Sequence, residues 1–212
     1  QTLQLPLNVY AAFGVGRFRK IADEAEGEFV EAMWQSPEGS HRVAYSGGYY
    51  ERNYERRGRR KKSTPKVSIG RYRYYWDTLD VSFSLEAGQY WEGDTGGKIG
   101  VTYHFEDTKV RFFFQDTLEQ TIGIQFSIPF GPRKGMQPSL FHVKGSTFSG
   151  LGARSTINID SGCNCLMPGL AKIPPYSSGW SRRYFNDDRL SVRYIQSHQE
   201  RLRDAFLLWK ER

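Results

Sequence analysis

The chain has 212 residues, enough for one or two domains, and only 38% of them are apolar. Its formal charge is +7, from 30 basic and 23 acidic side chains, which suits an anionic partner such as lipid, an acidic polymer or nucleic acid. No apolar run reaches 18 residues, which excludes a membrane-spanning helix but not a β-barrel, because closed strands also satisfy every backbone group in lipid.

Aromatic residues make up 15% of the chain and glycines number 22, a profile of strands joined by tight turns. It fits a soluble all-β domain and an outer-membrane barrel with aromatic rims equally well. The chain begins at Gln1 with no visible signal peptide, as a processed product would.

Residues 4–17 alternate at a period of two, which predicts a strand. Leu5, Leu7, Val9, Ala11, Phe13 and Val15 share one face, and Asn8, Tyr10, Ala12, Gly14 and Gly16 share the other. The two glycines lack the remainder of a nucleotide fingerprint and mark a bend or a close approach. Gly27 costs a helix about 1 kcal/mol, so a turn around Asp23–Glu26 and a strand over Glu28–Trp34 are expected. Pro37, Glu38 and Gly39 make the next turn, and residues 41–50 the next strand.

Residues 51–64 change character. Arg52, Arg56, Arg57, Arg59, Arg60, Lys61 and Lys62 stand against Glu51 and Glu55, with Tyr54 the lone apolar residue. This predicts a solvated loop, either a disordered solubilising segment or an electrostatic contact for an anionic sugar polymer, a lipopolysaccharide phosphate or a partner chain. No RNA- or DNA-binding module accompanies it, so nucleic acid is not an expected partner.

Strands resume over 66–77, where Tyr72, Tyr74, Tyr75 and Trp76 crowd the end as an interfacial belt does. Four alternating segments follow between Asp80 and Phe130. Their apolar faces are Val81, Phe83, Leu85 and Ala87; Ile99, Val101, Tyr103 and Phe105; Val110, Phe112 and Phe114; and Ile122, Ile124, Phe126, Ile128 and Phe130. Phe113 alone breaches the pattern. The turns, including Glu92–Gly97, are short, which favours antiparallel neighbours. About eight strands are thus expected before Gly131, the smallest usual number for a barrel.

Beyond Gly131–Gly135 the pattern loosens. Residues 140–159 hold one or two strands, and 161–185 form a Gly/Pro/Ser-rich linker. In the closing segment, 186–212, Asn186 caps an amphipathic helix over about 187–210, with Leu190, Tyr194, His198, Leu202, Ala205, Phe206 and Trp209 near one stripe. The helix docks on the protein or on a membrane surface.

No catalytic or metal site is expected, and no cofactor. His41, His104, His142 and His198 have no ligand spacing, and Cys163 and Cys165 are too close for an easy disulfide and too few for zinc. Asp80 and Glu86 stand about 20 Å apart along a strand, well beyond the glycosidase carboxylate gap of about 5–9.5 Å. What remains is a polar face, from which Lys98, Thr102, His104, Lys109, Arg111, Gln125 and Ser127 would line an interior. Its donors and acceptors suit sugar hydroxyls, and its cations suit acidic sugars. One register slip would invert the assignment.

Two segments carry a family resemblance: Gly88-Gln-Tyr-Trp-Glu-Gly-Asp-Thr-Gly-Gly97, and Gln120-Thr-Ile-Gly-Ile-Gln-Phe-Ser-Ile-Pro-Phe130. With Tyr75-Trp76-Asp77 before them and Arg154-Ser-Thr-Ile-Asn-Ile159 after, the chain resembles the YjbH-like family of Gram-negative exopolysaccharide and capsule proteins over about residues 5–160. The resemblance implies an outer-membrane β-barrel that helps export or organise a polymer, in proteins longer than this one.

The expected fold is therefore all-β. It is an antiparallel transmembrane β-barrel over 1–160, or part of a larger barrel, with a C-terminal amphipathic helix. The expected role is a non-enzymatic secretion component in the Gram-negative outer membrane. Its partners would be outer-membrane lipid, an acidic or neutral polysaccharide, and other subunits of a secretion complex or the rest of a longer barrel. A scaffold subunit without a path of its own, a soluble carbohydrate-binding β domain and a small barrel enzyme stay open as alternatives.

Overall fold

The computed structural model describes residues 2–20, 23–56, 59–105, 108–129, 150–159, 196 and 199–210. They form strands β1 (Thr2–Leu5), β2 (Val9–Lys20), β3 (Asp23–Gln35), β4 (His41–Arg56), β5 (Arg59–Ser63), β6 (Lys66–Trp76), β7 (Val81–Gln89), β8 (Thr95–Phe105), β9 (Thr108–Asp116), β10 (Gln120–Pro129) and β11 (Gly150–Asn158), then helix α1 (Gln199–Lys210). All strands belong to one antiparallel sheet in the order β1-β2-β3-β4-β6-β7-β8-β9-β10-β11, with β5 paired to β4. From β1 to β10 the connections are short, which leaves each strand beside its sequence neighbour, except that β6 pairs with β4 past the short β5.

β5 and β6 share one side of β4: residues 52–56 of β4 pair with β5, and 41–49 with β6. Pro65 separates the two because it has no N–H for the ladder. Its carbonyl still accepts from the Tyr50 amide at 3.1 Å.

The two faces of the sheet are unlike. On the outer face Val15, Leu85, Ile99, Phe112, Ile122 and Ile157 are each about half exposed or more. On the other face Ala12, Ala25, Met33, Val67, Ile69, Tyr75 and Phe113 are buried, as are the polar Glu31, Arg42, Ser46, Arg52, Ser82, His104, Gln115, Thr156 and Asn158. A twisted sheet of this width shields one face by curling. Here the shielded face is the polar one, and the outer face carries the bulk of the apolar side chains.

The outer apolar band has borders. Polar residues stand toward one edge of the outer face on successive strands: Arg17 opposite Glu26 and Glu26 opposite Glu51, then Glu28 and Lys66 on either side of Tyr49, Gln89 opposite Thr95, and Asp116 opposite Gln120. The opposite edge carries Trp34, Tyr72, Trp76, Tyr103 and Phe105, all exposed. There His41 Nδ1 and Tyr72 Oη share a 2.8 Å hydrogen bond, and the Tyr103 and Phe105 rings stack at 6.3 Å.

Several expectations need correction. The sheet is open among the described residues, since β1 and β11 each keep one edge that pairs with no described strand. Among the described residues ten strands, not eight, precede Gly131. The segment 4–17 is a hairpin: Leu7 and Asn8 take left-handed φ values of 62° and 59°, so Leu5 pairs with Val9. Alternation on both sides of the turn hid it. The expected turn at Asp23–Glu26 is the start of β3, where Glu24 and Glu26 keep the outward phase of Glu28 and Val30 beyond the apolar band.

The 51–64 segment is no solvated loop. Arg52 and Arg56 belong to β4 and Arg59, Arg60, Lys61 and Lys62 to β5, paired as a hairpin; Arg57 lies outside the described residues. Charges alternate there as apolar residues do elsewhere: Glu51 and Asn53 face outward with Lys62, and Arg52 and Tyr54 turn to the shielded side.

Of the expected helix, Gln199–Lys210 is described, and its Leu202, Phe206 and Trp209 are exposed. The linker, Cys163, Cys165 and residues 140–149 and 187–195 lie outside the described residues.

Candidate functional site

The register brings all seven expected lining residues to one face. Lys98 lies opposite Gln115, Thr102 opposite Arg111, and His104 opposite Lys109; across the next pair Arg111 lies opposite Gln125 and Lys109 opposite Ser127. The same face continues to Glu86, Ser84 and Ser82 on β7, to Arg71, Arg73 and Tyr75 on β6, and to Arg154 on β11.

Within β6–β11 this face holds six cations, Arg71, Arg73, Lys98, Lys109, Arg111 and Arg154, and one carboxylate, Glu86. Arg71 Nε donates to Glu86 Oε2 at 2.9 Å, and Arg71 Nη1 reaches Ser46 Oγ at 3.4 Å. Arg111 Nη2 donates to Ser84 Oγ at 3.1 Å, and that hydroxyl donates to the Gly100 carbonyl at 3.3 Å. Arg71 Nη2 and Arg111 Nε are buried and have no hydrogen-bond partner.

Phe113 breaks the apolar–polar alternation of β9. It is 4% exposed, and two cations hold it: Lys98 Nζ at 4.9 Å and Arg154 Cζ at 4.5 Å from the ring centroid. Its ring covers Gly123 on the next strand, where any Cβ would meet it. An aromatic ring over a strand glycine restores the packing that glycine lacks. The break in alternation was the signal for this residue, because an apolar side chain on a polar face needs a reason.

One end of the face is closed by an apolar cluster of Ala25, Tyr50, Val67, Ile69, Tyr90 and Trp91. Tyr90 and Trp91 come from the β7–β8 turn. The Tyr90 amide donates to the Asp94 carbonyl at 2.8 Å and the Gly93 amide to the Tyr90 carbonyl at 3.0 Å, which folds the turn inward. The turn is therefore 90–94 and not 92–97, since Thr95–Gly97 already belong to β8. Gly88, at φ 148°, and Gly96 lie so close to the neighbouring strands that a Cβ on either would strike backbone. Arg52 Nη1 donates to Glu92 Oε2 at 2.9 Å and Arg52 Cζ lies 5.5 Å from the centroid of the Trp91 ring, tying the basic hairpin to this turn. Burial, then Glu86, holds the Tyr90 hydroxyl above its ordinary value.

At the other end Ser82 Oγ and His104 Nε2 share a 3.0 Å hydrogen bond, and Tyr75 donates to Asp80 Oδ1. Sequence reasoning missed this cluster because its members are 22 residues apart or on a turn. Serine beside histidine has the geometry of a nucleophile and its base. Both are buried, Ser82 at 5% and His104 at 9% exposure, and the Asp80 carboxylate is taken by Tyr75. The cluster ties β6, β7 and β8 together. Among the described residues no three His, Cys, Asp or Glu side chains gather as a metal site.

No protein-family model matches this sequence, and comparison with curated proteins and with solved structures finds no match.

Proposed function

We propose that this chain is a non-enzymatic β-barrel component of the Gram-negative outer membrane that helps export or organise an exopolysaccharide. The observation that carries the reading is the inversion of the sheet: bulky apolar residues outside, charges and amides on the shielded side. Water penalises such a band at about 25 cal/mol per Å² of apolar surface, whereas hydrocarbon does not. A polar line on one border and aromatic residues on the other are what a bilayer interface favours. Strands β6–β11 are 9 to 11 residues long, the length a tilted strand needs to cross the hydrocarbon core.

Closure of the barrel is part of the proposal. The open edges of β1 and β11 must pair in lipid, with each other, with the rest of a longer chain or with other subunits. The resemblance to the YjbH-like family supplies the polymer class, and the mixed donors of the shielded face suit a hydrated glycan.

The open edges also favour a second reading, a scaffold subunit that completes a larger assembly without a path of its own. Reconstitution into lipid vesicles tests both. An exporter gives carbonate-resistant membrane association and polymer flux, and a scaffold gives the first without the second. A monomer that stays folded without detergent would overturn the membrane reading.

A further inference from the structure

We infer that the shielded face of β8–β11 is a binding subsite for the carboxylates of an acidic polysaccharide, built by Lys98, Arg111 and Arg154 around Phe113. The inference rests on the export reading above and narrows its substrate from any glycan to a polyanionic one.

Charge balance is the first argument. The carboxylate of Glu86 is already bound by Arg71. Lys98, Arg111 and Arg154 have no carboxylate at ion-pair distance among the described residues. Glu86 lies opposite Lys98 in the register, but Arg71 already holds its carboxylate, so the shielded Lys98 and Arg111 keep an excess of positive charge that an arriving anion would offset, and the exposed Arg154 adds to it. A structural face would have matched them with acids, as β4 does when it sets Arg52 against Glu92.

Geometry is the second. The Phe113 ring is a pedestal: Lys98 and Arg154 lie within 4.9 Å and 4.5 Å of its centroid, which holds both heads in place. Arg111 is fixed by Ser84, yet its Nε remains buried with no partner, a donor that a carboxylate oxygen would satisfy. Two further neutral groups, Thr102 and Gln125, lie directly opposite Arg111 on its two sides and suit sugar hydroxyls. A guanidinium beside amides and hydroxyls recognises a charged sugar better than a bare ion.

Extent is the third. From Arg71 on β6 to Arg154 on β11 there are five strand spacings, about 24 Å in all at about 4.8 Å each. One small anion would fill a fraction of this row, whereas successive uronate units of a chain would meet successive cations.

The test uses the full chain reconstituted in detergent micelles, with binding followed by calorimetry. The probes are an oligogalacturonate, a neutral maltooligosaccharide of equal length, polyphosphate and inorganic phosphate. The expected result is oligogalacturonate binding at least ten-fold tighter than the neutral sugar, weakening as salt rises. Arg154→Gln, on an exposed residue and so the variant safest for folding, should lose at least five-fold, with Lys210→Gln on α1 as the unaffected control. Lys98→Gln should lose a similar factor. Equal affinity for the neutral sugar overturns the inference, as does equal affinity for polyphosphate, which would mean that charge alone is read. Competition by inorganic phosphate at the same concentration as the oligomer would mean an adventitious ion only.

The two proposals fail separately. Vesicle insertion without acid preference sinks the subsite and leaves the barrel. Acid preference in a protein that needs no detergent sinks the barrel and leaves the subsite.

Discussion

The ring of Phe113 on β9 fills the space that a side chain on Gly123 of β10 would need, and Thr156 on β11 crowds the same point at 2.9 Å. Gly123→Ala should therefore cost about 1–3 kcal/mol through overpacking. Phe113→Leu in that background should recover part of the loss, because a shorter side chain clears the site. The coupling between the two changes should exceed about 0.5 kcal/mol, since the residues touch. Urea titration of both single variants and the double variant in micelles measures it, and simple additivity would refute the contact.

Arg71 and Glu86 form an ion pair on the shielded face, with side chains 28% and 16% exposed. Partial solvation tempers the pair, so Glu86→Gln should cost about 1–3 kcal/mol, mostly by stranding the guanidinium. Replacing both partners, as Arg71→Met with Glu86→Leu, should restore much of it. Glu86→Gln has a second expected effect: removing the only acid on this face of β6–β11 should tighten binding of an oligogalacturonate. Weaker binding after the change would count against the subsite.

Arg52 holds the inward-folded turn through Glu92 and through the face of Trp91. Arg52→Ala should cost about 1–2 kcal/mol, combining a charge-assisted hydrogen bond with a shielded cation–π contact. It should also loosen Trp91. In a background that keeps Trp91 and changes the other tryptophans to Phe, acrylamide should quench the Arg52→Ala variant more strongly than its parent. Unchanged quenching would place Trp91's support in Tyr50, whose ring meets it edge-on at 4.9 Å, and not in Arg52.

The face pattern was legible in the sequence wherever apolar residues alternate. Lys98 to Ser127 could be assigned to one side before any pairing was known, because a period of two leaves no freedom once one side chain is placed. The pattern failed where alternation was carried by charge. Arg52, Tyr54 and Lys62 alternate as strictly as Val81 and Phe83, yet a basic run resembles a loop when hydrophobicity is the only guide. Leu5, Leu7 and Val9 misled in the opposite way, staying in phase through a reversal of the chain. The contacts that define the site, such as Lys98 and Arg154 on Phe113 or Ser82 with His104, join residues from different strands. They depend on register, which no single segment encodes.

Arginine placed on the outer face separates a bilayer from water as the solvent of that face. Ile99 and Phe112, at 52% and 49% exposure, sit in the middle of the apolar band, and Glu28 sits on its polar border. In lipid, Ile99→Arg and Phe112→Arg should each cost about 2–4 kcal/mol, and Glu28→Arg about 0–1 kcal/mol. In water the half-exposed positions would tolerate the charge, with changes within about 0.5 kcal/mol at all three sites. Unfolding titrations of the three variants in lipid vesicles give the answer directly. A depth-dependent series supports hydrocarbon against this face; three equal, small changes would show that the band meets water and that the chain does not span a membrane.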